Sequence, residues 1–197
     1  MTDEQRRQIV SRLNGRNQVD AFEAAKAIWD DTGRRVKAFG GRPADKQLER
    51  PLIATLKRGR RAFNRAAAAF AMQMVSTPGT VRALESAVKN KSERPRVRGE
   101  AAEALAHCHR TKSHDVLLAG LNDSSKDVRF WCAFSLGEMA EKRALPSLKR
   151  LAATDRRMVK GFHSVAKEAA DAIENIQKGN VGHRRKRGCI FCVRRLA

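Results

Sequence analysis

Three nine-residue segments of the chain superpose without a gap: VRGEAAEAL at 97–105, VRFWCAFSL at 128–136 and VAKEAADAI at 165–173. Val97, Val128 and Val165 open them, Ala102, Ala133 and Ala170 fall five residues on, and Leu105, Leu136 and Ile173 eight on. A looser copy, AFNRAAAAF at 62–70, fits with Phe70 in the last slot, and the starts are spaced 35, 31 and 37 residues apart. A second register runs between the copies. Ile53, Leu84, Leu118 and Leu148 recur at intervals of 31, 34 and 30, each followed three residues later by Leu56, Ala87, Leu121 or Leu151. Pro51 and Pro146 occupy one slot of that register. Two helix registers on one period imply a repeated pair of helices. Alanines let the helices approach closely, and Val and Leu fill the space between neighbours. One pair cannot bury its own apolar face, so pairs must stack.

Local signals agree with an all-helical chain. Thr2 and Gln5 have the spacing of a capping box, and Asn17 with Asp20 repeats that logic. Val19, Phe22, Ala25 and Trp29 recur at helical intervals, and Gly33 is expected to stop that helix. Residues 34–43 read as a short helical turn and a loop. Further helices are expected from Pro51 to Gly59, over 61–75, after Pro78, from Pro95 through Leu105, and over 116–121. Ser124 and Asp127 are expected to cap a helix through Met139. Another follows Pro146, and the last is placed at 158–177. Tyrosine is absent, and no strand-like alternation stands out.

The 197 residues are 42% apolar, too apolar for a disordered polycation despite a net charge of +20. No apolar run is long enough to span a membrane. Acidic residues open the chain where a secretory leader would place basic ones, so no such leader is expected. Cysteines 108, 132, 189 and 192 are too few and too unevenly placed for a disulfide framework, which points to a reducing, cytoplasmic home.

The residues Val97-Arg98, Ala101-Ala102, Leu105, Asp123, Asp127-Val128-Arg129, Leu136-Gly137, Leu145-Pro146 and Leu148 resemble the HEAT-repeat family, in its short, bilin-lyase-like variety, over about 62–177. That resemblance implies a right-handed α-solenoid of stacked helix pairs over 1–177, with a concave face lined by the second helices, and 178–197 as a separate basic tail. It also implies a ladder between repeats, in which Asp123, Asp127 and Asp155 partner Arg98 and Arg129. Solenoids of this kind serve as adaptors, transport factors, chromophore lyases and DNA-repair glycosylases, so the resemblance leaves function open.

The charge is uneven. Residues 1–60 carry 14 basic and 8 acidic groups, 61–110 carry 9 and 4, 111–177 carry 11 and 9, and 178–197 carry 7 and none. On the second helices Lys57, Arg58, Arg82, Lys89, Arg143 and Arg150 point away from the expected core, and Arg60, Arg61 and Arg65 follow the first of them. Cations at intervals along one surface suit a phosphate backbone. The tail cluster Arg184, Arg185, Lys186 and Arg187 suits one too. The favoured reading is therefore a non-enzymatic binding protein whose partner is nucleic acid or an acidic protein. The alternatives are a protein–protein adaptor, and an enzyme of the glycosylase or chromophore-lyase kind.

Cys189 and Cys192 have the spacing of half a zinc site. His183, or the group His107, Cys108, His109 and His114, could complete it only if the tail folds back. No cofactor is expected otherwise. Cys108 and Cys132 read as small core residues. Trp29 and Trp131 read as core aromatics, the alternative being rings that stack on a base.

Overall fold

The computed structural model describes residues 1–39, 45–108 and 113–179, with the side chains of 32–39 left out of the description. Among these residues the chain is helical, with no β-strand and a single isolated bridge between Met158 and Ser164. It divides into two compact units, residues 1–111 and 112–197.

The first unit holds α1 (Asp3–Leu13), α2 (Gln18–Phe39), α3 (Glu49–Arg58), α4 (Ala62–Ala71), α5 (Pro78–Lys89) and α6 (Pro95–His107). Short 3-10 turns precede α3 and follow α4. α2 packs on α4 and α4 on α6, while α3 packs on α4 and α5 and α5 on α6. This is the layered order of stacked helix pairs. The second unit holds α7 (His114–Gly120), α8 (Lys126–Glu138), α9 (Leu145–Thr154) and α10 (Val165–Gln177). There α8 packs on α7 and α10, and α9 on α10.

The repeat register matches burial on α6 and α8. Val97, Ala102 and Leu105, and Val128, Ala133 and Leu136, are fully buried. On α10 the register slips: Val165 is buried, but Ala170 is exposed and Ile173 half-buried, while Ala169, Ala172 and Ile176 face the core. In the second register Leu52 and Leu117 are buried, whereas the expected Ile53 and Leu118 are only half-buried.

Several boundaries differ from expectation. α2 continues through Gly33 to Phe39, because a single glycine lowers helix propensity by only about 1 kcal/mol, too little to end a long helix by itself. Val19 stands 52% exposed, and the core stripe is Ala21, Phe22, Ala24, Ala25 and Ile28. The Thr2–Gln5 capping box forms in both directions, but Asn17 Oδ1 accepts from Val19 N at 2.8 Å, an Asx turn without Asp20. α8 begins after Ser125, whose N–H donates to Asp123 Oδ1 at 2.9 Å, so the cap reaches in from Asp123 and not from Ser124. The last helix begins at Val165, seven residues later than expected. Residues 156–164 form a folded loop in which Val159 N donates to His163 O and Val165 N to Arg157 O, and Ser164 Oγ caps the helix by accepting from Lys167 N at 3.2 Å.

The α8–α10 contact depends on a missing side chain. A Cβ built on Gly137 would lie 2.8 Å from Ala172 Cα and 2.9 Å from Ala172 Cβ. Backbone cannot yield there as a flexible side chain would. Gly137→Ala should therefore lower unfolding free energy by about 1–3 kcal/mol in a denaturant titration.

Glu141 anchors the start of the α9 segment. Its carboxylate accepts from Arg143 Nε at 3.2 Å, Arg143 Nη2 at 3.1 Å and Arg143 N at 3.0 Å, and also pairs with His114 Nδ1. The Arg143 side chain chiefly, then its backbone N–H and His114, outweigh burial and hold the carboxyl down to about 2 from an ordinary 4.5. Between those pH values the unfolded chain binds the proton and the folded chain does not, so stability rises with pH across that window. Because Arg143 is half exposed, Glu141→Gln should cost no more than ~2 kcal/mol at neutral pH. Acid titrations of wild type and variant should converge as pH falls from 4.5 to about 2.

Candidate basic interface on the first unit

The sequence between Arg50 and Leu84 contains seven basic residues and no carboxylate. Folding places the middle of this stretch at one corner. α3 ends at Arg58, because Gly59 turns the backbone to φ −53° and ψ 128° while its N–H still caps Thr55 O. Lys57 and Arg58 thus occupy the last turn of α3, where cations favour the helix dipole. Arg61 is the N-cap residue of α4. Lys57, Arg58, Arg60 and Arg61 are all exposed.

This corner is laced to the turns on either side. The buried Asn64 donates through Nδ2 to Leu13 O at 2.6 Å and Gly15 O at 3.0 Å. Arg61 Nη1 donates to Arg16 O at 3.3 Å, and Asn14 Nδ2 to Thr55 Oγ1 at 3.0 Å. On the other side Arg65 Nε and Nη2 grip the two oxygens of Glu93 at 2.6 and 2.8 Å, while Nη1 donates to Gly59 O at 2.7 Å. The α1–α2, α3–α4 and α5–α6 turns therefore share one edge of the unit. Exposed Arg12 and Arg16 arrive there beside the Lys57–Arg61 corner, and Lys89, also exposed, ends α5 at the last of the three turns. Arg82 is exposed on α5 seven residues before Lys89, about 10 Å back along the helix axis.

Arg65, expected in the anion-binding set, is engaged within the protein. Its guanidinium is held in a bidentate pair and a backbone contact. Burial would raise the Glu93 carboxyl, but hydrogen bonds from Arg65 and then the Arg94 backbone hold it below the ordinary range. Arg143 is likewise engaged, by Glu141 and by Asp115 Oδ1 at 3.0 Å, so it is not an open cation on its helix. Arg12 and Arg16 were not legible as site residues, since only the long-range bonds of Asn64 and Arg61 bring them to the corner. Arg184, Arg185, Lys186, Arg187, Cys189 and Cys192 lie outside the described residues, as do His109 and His183.

The expected ladder forms at Arg129, whose Nε donates to Asp155 Oδ2 at 2.8 Å, with Nη1 on Asp123 O. Arg98 Nε donates to Val88 O at 3.0 Å. Trp131 is 5% exposed and packed among Phe130, Phe134 and Phe162, with centroids 5.1–5.6 Å away, which removes it as a ring for stacking on a base. Trp29 stacks on Phe70 at 6.1 Å with His107 edge-on at 6.4 Å. Cys108 and Cys132 are buried thiols, as expected of core residues. A metal-like group exists at His163, Glu168 and Asp171, whose ligand atoms lie within 4.8 Å of one another. His163 Nε2 already meets Glu168 Oε2 at 2.9 Å, and Lys167 pairs with Asp171, so an ion would have to displace both.

If Arg65 is structural, Arg65→Ala should lower stability by about 2 kcal/mol, because it leaves a half-buried Glu93 without its main partner.

No described helix is long and apolar enough to cross a membrane. No curated protein matches the chain. Residues 90–162 match the family model of HEAT repeats.

Proposed function

We propose that this protein is a non-enzymatic binding module that holds a nucleic-acid phosphate backbone on the basic turn edge of its first unit. The observation that carries this reading is the acid-free stretch from Arg50 to Leu84, whose exposed Lys57, Arg58, Arg60 and Arg61 stand on a corner fixed by Asn64 and Arg65. A rigid corner presents cations without first having to order a loop, so little entropy opposes contact. Arg12, Arg16, Arg82 and Lys89 extend the positive surface from that corner. Contacts of this type go to phosphates and are largely indifferent to base sequence. The tail cluster 184–187 would add affinity through the same chemistry.

A second reading, a scaffold that docks a protein partner, is favoured by the HEAT-repeat match over 90–162, which includes a stretch of nearly balanced charge.

Replacing Lys57, Arg58, Arg60 and Arg61 together by Glu tests the first reading. Affinity for a duplex or single-stranded oligonucleotide should fall at least about 100-fold, and the slope of log K against log salt should flatten by about 3–4. An unchanged slope would remove the assignment. Capture of a protein partner that survives nuclease and high salt, with no nucleic-acid affinity in the wild type, would establish the scaffold reading in its place.

A further inference from the structure

The second unit contains a shallow cleft of about 500 Å³ between the α7–α8 turn and the C-terminal end of α9. Three arginines line it: Arg129, Arg150 and Arg157. Arg129 is the unusual one. Its side chain is only 5% exposed, and two of its three nitrogens are occupied, Nε by Asp155 and Nη1 by Asp123 O. The third, Nη2, is buried and has no hydrogen-bond partner. A buried guanidinium donor without an acceptor is a costly arrangement that native structures seldom leave in place.

The surroundings are positive despite two aspartates in the lining. Asp155 is answered on both oxygens, Oδ2 by Arg129 and Oδ1 by Arg157 Nε at 2.7 Å. Asp123 Oδ1 accepts from Ser125 N. Arg150 adds a further guanidinium, resting on the neutral amide oxygen of Asn122. Residues 149–160 together carry five basic groups and one acid. Arg150 and Arg157 are both exposed at the mouth, so each can turn a nitrogen inward while Arg129 waits on the floor.

We propose that this cleft receives a phosphate group, free or as a monoester, with Arg129 Nη2 as its buried donor and Arg150 and Arg157 closing over it. Guanidinium groups match the oxygen spacing of phosphate and keep their charge at every relevant pH. Asp155 orients Arg129 through Nε and so keeps Nη2 directed to one side. The site belongs to the second unit alone and does not depend on the basic edge of the first.

The probe is inorganic phosphate, added to the full-length protein in thermal unfolding, against sodium chloride of equal ionic strength. Phosphate several-fold above its Kd should raise the melting temperature of the wild type by about 2–4 °C beyond the chloride control. The double variant Arg150→Ala, Arg157→Ala, which alters only exposed side chains, should lose that increment. Arg129→Lys, which keeps a cation opposite Asp155 but has no second nitrogen, should lose it too. The charge reversal at Lys57, Arg58, Arg60 and Arg61 should retain it, which separates this site from the nucleic-acid reading. A 5′-phosphorylated oligonucleotide compared with its 5′-hydroxyl twin distinguishes the sources: a phosphate-dependent gain that requires Arg150 and Arg157 assigns the cleft to an esterified phosphate, and its absence beside a positive result with inorganic phosphate assigns it to the free ion. No increment over chloride in the wild type, or an increment that survives the double variant, would overturn the proposal.

Discussion

What allows these helices to stack is the small volume of the residues at their crossings. Ala101, Ala102 and Ala104 on α6, and Ala66 through Ala69 on α4, are all without exposure to solvent. Gly137 on α8 meets the backbone of Ala172 on α10 at a distance that admits no further carbon. Close approach lets Val97, Leu105, Val128 and Leu136 be fully buried among their neighbours. The helices themselves are short, 7 to 13 residues apart from α2. Helices of that length are marginal alone and depend on burial to persist.

Arginine serves two separate purposes on this frame. Arg65, Arg129 and Arg143 stitch turns and helices together by gripping carboxylates, and Arg65 and Arg129 grip backbone carbonyls as well. Lys57, Arg58 and Arg60 stand outside, on exposed turns. Net charge alone cannot separate the two groups. The distinction rests on where an acid or carbonyl falls in space: Glu93 lies 28 residues from Arg65, and Asp155 lies 26 from Arg129.

The paired-helix architecture was legible because its signal is periodic and local. Val97 and Val128 sit one repeat apart, and both are buried. The register of α10 was not legible, because the residue types of the pattern are alike on all three helices while the buried stripe of α10 runs through Ala169, Ala172 and Ile176 and leaves Ala170 exposed. Gly33 misled because a single glycine weakens a helix without ending it. The ladder at Arg129 was legible from its Asp partners. The corner at 57–61 was half legible: its charge could be read along the chain, but the arrival of Arg12 and Arg16 depends on Asn64, a buried amide that no charge count would single out.

The lacing of the first unit has a consequence for how this surface can change. The acceptors that fix the three turns are mostly main-chain oxygens, those of Leu13, Gly15, Arg16 and Gly59. A main-chain oxygen is the same whatever side chain its residue carries. Arg12, Arg16, Arg58 and Arg60 can therefore be exchanged for other residues while the edge keeps its shape. Shape and surface charge are separable here, with Asn64 and Arg65 carrying the first, so substitutions can keep the corner and change the charge it presents.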